Sequence, residues 1–339
     1  MKRRVGALLV ALAVAGCGRP AAAPATPAVA KLHLEPITDL APAAGLRWLV
    51  ALKPRELAAN PALIPAIDRL VTSKRFATFA ERNGVDIRAV GELVLAGYPE
   101  TTLTLARATL DPAKVEAAWS GRMVHVDGRS LDRATTDPLA NIVRSWGSVG
   151  TEREQIAIFG REAVGLELGR FGPLRAAELF AEGRLKRASP ALRADPLLRT
   201  TALVGDAPVR AFAPGPFTGD LAAGLGGLLG AATAVAGAAR VVEPVATGAG
   251  GHTGLAFTVL LTGAWGADAP VAADRLRAAF DVLAATSVGL LLGLSHPLAA
   301  ARVSSTADML ELEVTLDAEA LADGLRAATA ATVEEIMER

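Results

Sequence analysis

Residues 309–328 read MLELEVTLDAEALADGLRAA, and residues 102–119 read TLTLARATLDPAKVEAAW. In each, an alternating apolar strand runs into a Leu-Asp pair, Leu316-Asp317 or Leu110-Asp111, and an amphipathic helix follows. Leu310, Leu312, Val314 and Leu316 share one face of the later strand, with Glu311, Glu313 and Thr315 on the other. Successive side chains of a strand point to opposite faces, so this pattern marks one buried and one wet face. Asp at the junction suits a helix N-cap, because its carboxylate accepts a hydrogen bond from an unpaired N–H of the first turn. Pro112 suits the first helical position, where its missing N–H costs nothing.

Looser copies of the unit occur at 163–180 and 255–280. In the first, Val164, Leu166 and Leu168 oppose Gly165, Glu167 and Gly169. Four units, two per half, point to an internal duplication. Strands with one wet face favour antiparallel sheets with helices packed on one face over a doubly wound parallel sheet.

The first half begins with a strand near Leu46 to Leu52 and helical segments from Arg55 to Arg82, broken at Asn60-Pro61 and Pro65. Asn83-Gly84 resembles a helix C-cap. Strands near Leu93 to Tyr98 and Thr102 to Ala108 lead to the helix after Asp111. Val124 to Gly128 reads as a hairpin, since Asp-Gly tolerates the positive φ of a tight turn. In the second half a strand over Ala207 to Ala213 precedes a long Ala/Gly helix over Thr218 to Ala239. Strands at Val241 to Ala246 and Leu255 to Leu261, a helix from Pro270 to Leu292, two strands and a closing helix follow. Strand-helix-strand-strand-helix-strand is the order of a ferredoxin-like unit. The sequence therefore predicts an α+β fold of two ferredoxin-like (βαββαβ) lobes, residues 35–190 and 191–339. Their boundary falls in the polar stretch 183–199, which carries Pro190 and Pro196.

Composition limits the function. The 35 Lys and Arg balance 35 Asp and Glu, so nothing in the net charge favours a nucleic-acid partner. Aromatic residues are 4% of the chain, and Trp48, Trp119, Trp146 and Trp265 each stand in an apolar context that core packing explains. His33, His125, His252 and His296 are too far apart in sequence for a metal-binding pair on one helix. No G-x-S-x-G, S-x-x-K, H-E-x-x-H or P-loop motif occurs, so neither a catalytic residue nor a metal or cofactor is assigned. Residues 224–230, GLGGLLG, do not follow a strand directly, as a dinucleotide loop would.

Leu221 to Ala239 is a charge-free run of 19 residues with a Gly226-x-x-x-Gly230 spacing. Its content is mostly Ala and Gly, which suits a buried helix better than a membrane span. Val282 to Leu294 is more apolar but too short to span.

The N-terminus carries the clearest local signal. Lys2, Arg3 and Arg4 precede an uncharged run, Val5 to Gly16. As a helix this run is about 18 Å long, too short for a hydrocarbon core of about 30 Å. It ends in Val14-Ala15-Gly16-Cys17. This resembles the lipobox of bacterial lipoproteins. The resemblance implies a signal peptide over 1–16, cleavage after Gly16 and a diacylglyceryl group on the Cys17 sulfur. Gly18, where retention at the inner membrane usually has Asp, implies the outer membrane facing the periplasm. Loss of the three leader cations leaves 32 basic against 35 acidic residues, about −3. Cys17 is the single cysteine, so no disulfide forms within the chain and the fold rests on its core. Residues 17–34 form the lipidated start of an Ala/Pro-rich tether, whose stretch 18–31 reaches roughly 40 Å when extended.

The expectation is a lipid-anchored envelope protein that binds a partner or scaffolds envelope components without catalysis. A carrier of a lipid or other hydrophobic ligand is the second reading, and a hydrolase with a dispersed site the third. The membrane, held through the lipid on Cys17, is the expected partner, with an envelope protein or hydrophobic ligand beside it. A Cys17→Ala variant is expected to fold normally by circular dichroism yet leave the membrane fraction in cell fractionation. Its retention there after a high-salt wash would mean that another segment anchors the chain.

Overall fold

The computed structural model describes residues 31–123, 132–135, 141–149, 152–170, 172–185, 187–245 and 252–338. Among these described residues twelve strands form one sheet, and every neighbouring pair is antiparallel. They are β1 (Trp48–Leu52), β2 (Glu92–Tyr98), β3 (Thr101–Arg107), β4 (Asp132–Thr135), β5 (Ile142–Val149) and β6 (Glu152–Phe159). Next come β7 (Ala163–Gly169), β8 (Val209–Pro214), β9 (Ala232–Val245), β10 (His252–Gly263), β11 (Ala299–Thr306) and β12 (Met309–Asp317). Their spatial order is β11-β12-β10-β9-β8-β1-β2-β3-β7-β6-β5-β4.

The two halves meet at β1 and β8, where Leu49 faces Phe212 and Leu52 faces Val209. Outward from this seam the order is β1-β2-β3-β7-β6 on one side and β8-β9-β10-β12-β11 on the other. The four strand-pair-and-helix units are present. They end in α4 (Pro112–Arg122), α5 (Pro173–Ala181), α7 (Ala269–Ala284) and α9 (Ala318–Glu338). The Leu-Asp junctions work as read. Asp111 accepts from the N–H groups of Ala113 and Lys114, and Asp317 from that of Ala320.

Helices cover both faces of the central sheet, which corrects the expectation of helices on one face. On one face Leu49, Val94, Ala96, Leu103, Leu105, Ala236 and Leu260 form the main core. That core is closed by α5, by α6 (Leu197–Val204) and by an N-terminal segment carrying Leu34, Ile37 and Leu40. The packed chain thus starts within the last residues of the tether. His33 N–H already donates to the Ala181 carbonyl. On the opposite face, α4 packs on β6 and β7, α7 on β10 and β12, and α2 (Ile64–Leu70) against α9. The physical reason is that central strands are apolar on both faces. In β2, Val94 and Ala96 point one way and Leu93 the other, and all are buried. Towards β11 and β12 the sheet keeps the wet face that the alternation implied, with Glu313 exposed.

The helix expected over 218–239 is absent. Short 3-10 turns at Gly219–Leu221 and Leu228–Ala231 precede β9. Leu225, Gly226 and Gly227 take positive φ, which a helix cannot accommodate. From Ala232 on, Ala234, Ala236 and Ala238 point into the core, with Val235 and Gly237 on the opposite face. Small residues on both faces conceal a period of two, and tertiary packing outweighs the helix preference of alanine. A span over Leu221 to Ala239, which its Ala/Gly content already disfavoured, falls with that helix. Among the described residues no helix is long and apolar enough to cross a membrane. The hairpin at Val124 to Gly128, like Cys17 and residues 1–16, lies outside the described residues.

Because the main core draws on both halves through the seam, denaturant unfolding is expected to be a single transition. Phe212→Ala, at a position 2% exposed, should lower its free energy by about 3–5 kcal/mol without splitting it. Two separable transitions by fluorescence and circular dichroism would show that the halves unfold independently.

Candidate functional site

One of the voids among the described residues lies on the α4 face of the first half. There α4 presents Val115 and Trp119 to the sheet. The helix α3 (Ser73–Asn83) ends beside it at Gly84, whose φ of 71° makes it the left-handed C-cap read from Asn83-Gly84. A Cβ at Gly84 would sit 2.9 Å from the Val115 Cα, so glycine also permits the close crossing of α3 and α4. The two helices do not close fully onto the sheet. They leave a cavity of about 130 Å³ bounded by Phe79, Leu93, Ala106, Trp119, Ile156 and Leu166 among others.

One end of this apolar cavity is polar. Trp119 is buried, and its Nε1–H donates to Glu154 Oε1 at 2.8 Å. Arg122, on the last turn of α4, donates from Nη1 to Asn83 Oδ1 at 2.6 Å, and its Nη2 stands 3.7 Å from Glu154 Oε1. Asn83 in turn donates to the Phe79 carbonyl. The Arg122 Nε–H is buried and has no hydrogen-bond partner. A buried donor without an acceptor costs about 1–3 kcal/mol, so this atom requires an explanation.

A second polar group is buried on the other face. Glu167, read from the alternation as a wet-face residue of β7, is fully buried, and Leu168 is exposed instead. The strand is two-faced: Val164 and Leu166 pack under α4, while Ala163 and Gly165 pack under α5. Glu167 accepts from Gln155 Nε2 and from the backbone N–H groups of Gly172 and Leu174. It therefore caps α5, whose N-cap residue Gly172 has no side chain to do so. Nearby Glu178, also fully buried, pairs with Arg175 and lies 3.7 Å from Arg144. Its Oε1 has no hydrogen-bond partner. Burial pushes both carboxyls above the ordinary range. The donors to Glu167, and the guanidinium groups beside Glu178, pull the other way.

The histidines do not converge. His252 Nδ1 is 2.7 Å from Asp317 Oδ2 on the surface, and His296 Nδ1 is 2.9 Å from Ser295 Oγ. His33 lies at the start of the packed chain, and His125 is outside the described residues. Among the described residues no histidine contacts both a serine and a carboxylate, and no cluster of His, Cys, Asp and Glu could hold a metal. Of the tryptophans, Trp119 and Trp265 are buried, whereas Trp48 is half-exposed and lies flat over Gly97. Sequence reasoning missed Arg122, Asn83 and Glu154 as a group. Their only signal was an Arg and an Asn closing two amphipathic helices. Comparison with protein-family models, with curated proteins and with solved structures finds no match.

Glu178 carries a testable pH dependence. With its pKa raised in the fold, the folded state holds a proton where the unfolded chain has lost it. Stability therefore falls as pH rises from the ordinary value of 4.5. Wild type should accordingly gain stability relative to Glu178→Gln as pH drops from neutral towards that value. Chemical denaturation across that range checks it, and a constant difference would contradict the assignment.

Proposed function

We propose that this chain is a lipid-tethered protein of the bacterial envelope that binds a small hydrophobic ligand without transforming it. The ligand occupies the cavity between α3, α4 and the sheet. The observation that carries the reading is an apolar cavity lined at one end by the polar side chains of Asn83 and Arg122. Ligand sites commonly combine apolar walls with a few placed polar groups. Glu154 and Asn83 hold the guanidinium in place, so this polar end is preorganised.

Size limits the ligand. A cavity of about 150 Å³ accepts benzene. At about 130 Å³ the space suits a single ring or a short alkyl chain, not a full-length acyl chain. An acceptor at one end, such as a hydroxyl, carbonyl or carboxylate oxygen, would meet Arg122. The tether and the lipid on Cys17 would keep this body at the periplasmic face of the outer membrane. In the same reading the two halves derive from one ferredoxin-like unit. The run β10-α7-β11-β12, with β12 between its neighbours, keeps the split order of that unit, and β9 stands beside β10 in place of a strand after α9.

Toluene and benzyl alcohol are suitable probes. Each should raise the melting temperature in proportion to RT ln(1 + [L]/Kd), benzyl alcohol more because its oxygen reaches Arg122. Ala106→Leu places three carbons in the cavity. This variant should remain folded, be at least as stable, and lose both shifts. Equal shifts in wild type and variant, or none in wild type, would remove the proposal.

A further inference from the structure

The apolar run Val282 to Leu294 does not span a membrane, yet it is not buried. It forms the C-terminal turn of α7 and the short helix α8 (Ser287–Leu291). Val282 is 69% exposed, Leu290 56%, Val288 52%, and Leu283 and Leu291 are nearly half-exposed. Exposed apolar patches on a soluble body mark sites of contact with a partner or a membrane.

The patch is held firmly. A Cβ at Gly289 would lie 2.1 Å from the Leu283 carbonyl oxygen, and one at Gly324 of α9 would lie 1.9 Å from that of Leu291. Two glycines thus let α8 press directly on α7 and α9. Thr286 caps α8 by accepting from the Gly289 N–H at 3.0 Å. The tip is a fixed knob of aliphatic side chains.

Three observations select the occupant. From Val282 to Ala301 no Asp, Glu, Lys or Arg occurs, so nothing charged in this stretch resists entry into a lipid surface. Of the flanking charges, Asp281 stands exposed at the rim, immediately before Val282, while those of α9 engage α2, where Arg69 pairs with Glu319 and Asp323. The exposed set is Val and Leu only. Protein interfaces draw their affinity chiefly from Trp, Tyr and Arg, none of which stands here. Finally, the chain before residue 31 is long enough to reach roughly 40 Å from an anchor at Cys17 when extended, and a second contact within that reach becomes intramolecular. We infer that the α7–α8 tip is a membrane-contact surface that seats the tethered body on its own bilayer. This rests on the lipid-tether reading above. Because the patch is uncharged, it requires no anionic lipid.

Cysteine labelling of the full chain tests it. In a lipidated chain the Cys17 sulfur is a thioether, so Leu290→Cys offers a maleimide probe one thiol. A second thiol per chain would show that Cys17 is free and that the tether reading fails, separately from this inference. The control is Ala267→Cys, exposed in the short turn that precedes the far end of α7, a helix about 24 Å long. With an environment-sensitive dye in phosphatidylcholine vesicles, the label at 290 should brighten, shift to the blue and be quenched by nitroxides in the acyl chains. The label at 267 should not. The inference is overturned if both labels behave alike in vesicle-bound protein. It is equally overturned if the label at 290 shifts with protein concentration but not with lipid, which would assign the tip to a second copy of the chain.

Discussion

The antiparallel pairing of β1 with β8 is the constraint on which the remaining architecture depends. Four residue pairs, from Leu49–Phe212 to Leu52–Val209, join what would otherwise be two sheets. The pairing aligns the apolar faces of the halves, so that Leu49, Ala96 and Leu103 from one share a core with Phe212, Ala236 and Leu260 from the other. A strand offset of one residue at this seam would turn every side chain of one half to the wrong face. The helices α5 and α6 then cover a surface to which both halves contribute.

Away from the seam the halves diverge in a way that follows from their strands. In the first half both faces of β2, β3 and β7 are apolar, so helices close on both sides and polar groups become enclosed. Glu167 and Glu178 are the result on one face, and the Trp119–Glu154–Arg122 group on the other. In the second half β12 keeps Glu311 and Glu313 on a face without helices, and apolar surplus collects instead on the outer tip of α7 and α8. The apolar cavity on the α4 face and the exposed tip therefore sit in different halves for one reason, namely how many sides of the sheet the strands can bury.

Much of this was legible in the residues. The Leu-Asp junctions, the Asn83-Gly84 stop and the antiparallel α+β character follow from short-range rules about caps and alternation, and the structure carries them. Three things were not legible. Alternation in β7 showed two kinds of side chain but not which was wetter, because Glu167 is compensated by donors from Gln155 and from the start of α5, 5 to 7 residues on. The alanine stripe of β9 read as helix, since a strand whose two faces both carry small residues has no visible period. The cavity was invisible because it arises from what α3 and α4 fail to fill, which no single segment encodes.

That failure to fill has an energetic meaning. An unfilled volume of about 130 Å³ costs at most about 3 kcal/mol of lost packing, the penalty it would carry as a closed core cavity. The unpaired Arg122 Nε–H, on a residue that lines the cavity, adds about 1–3 kcal/mol. Either cost could be relieved by one substitution, a larger residue at Ala106 or an apolar one at Arg122. Total stability of a domain is only about 5–15 kcal/mol, so these are large concessions. Local rules are most often broken where a site must stay open. An open volume walled by apolar side chains, with Asn83 and Arg122 at one end, is what a ligand carrying an apolar body and one acceptor would fill.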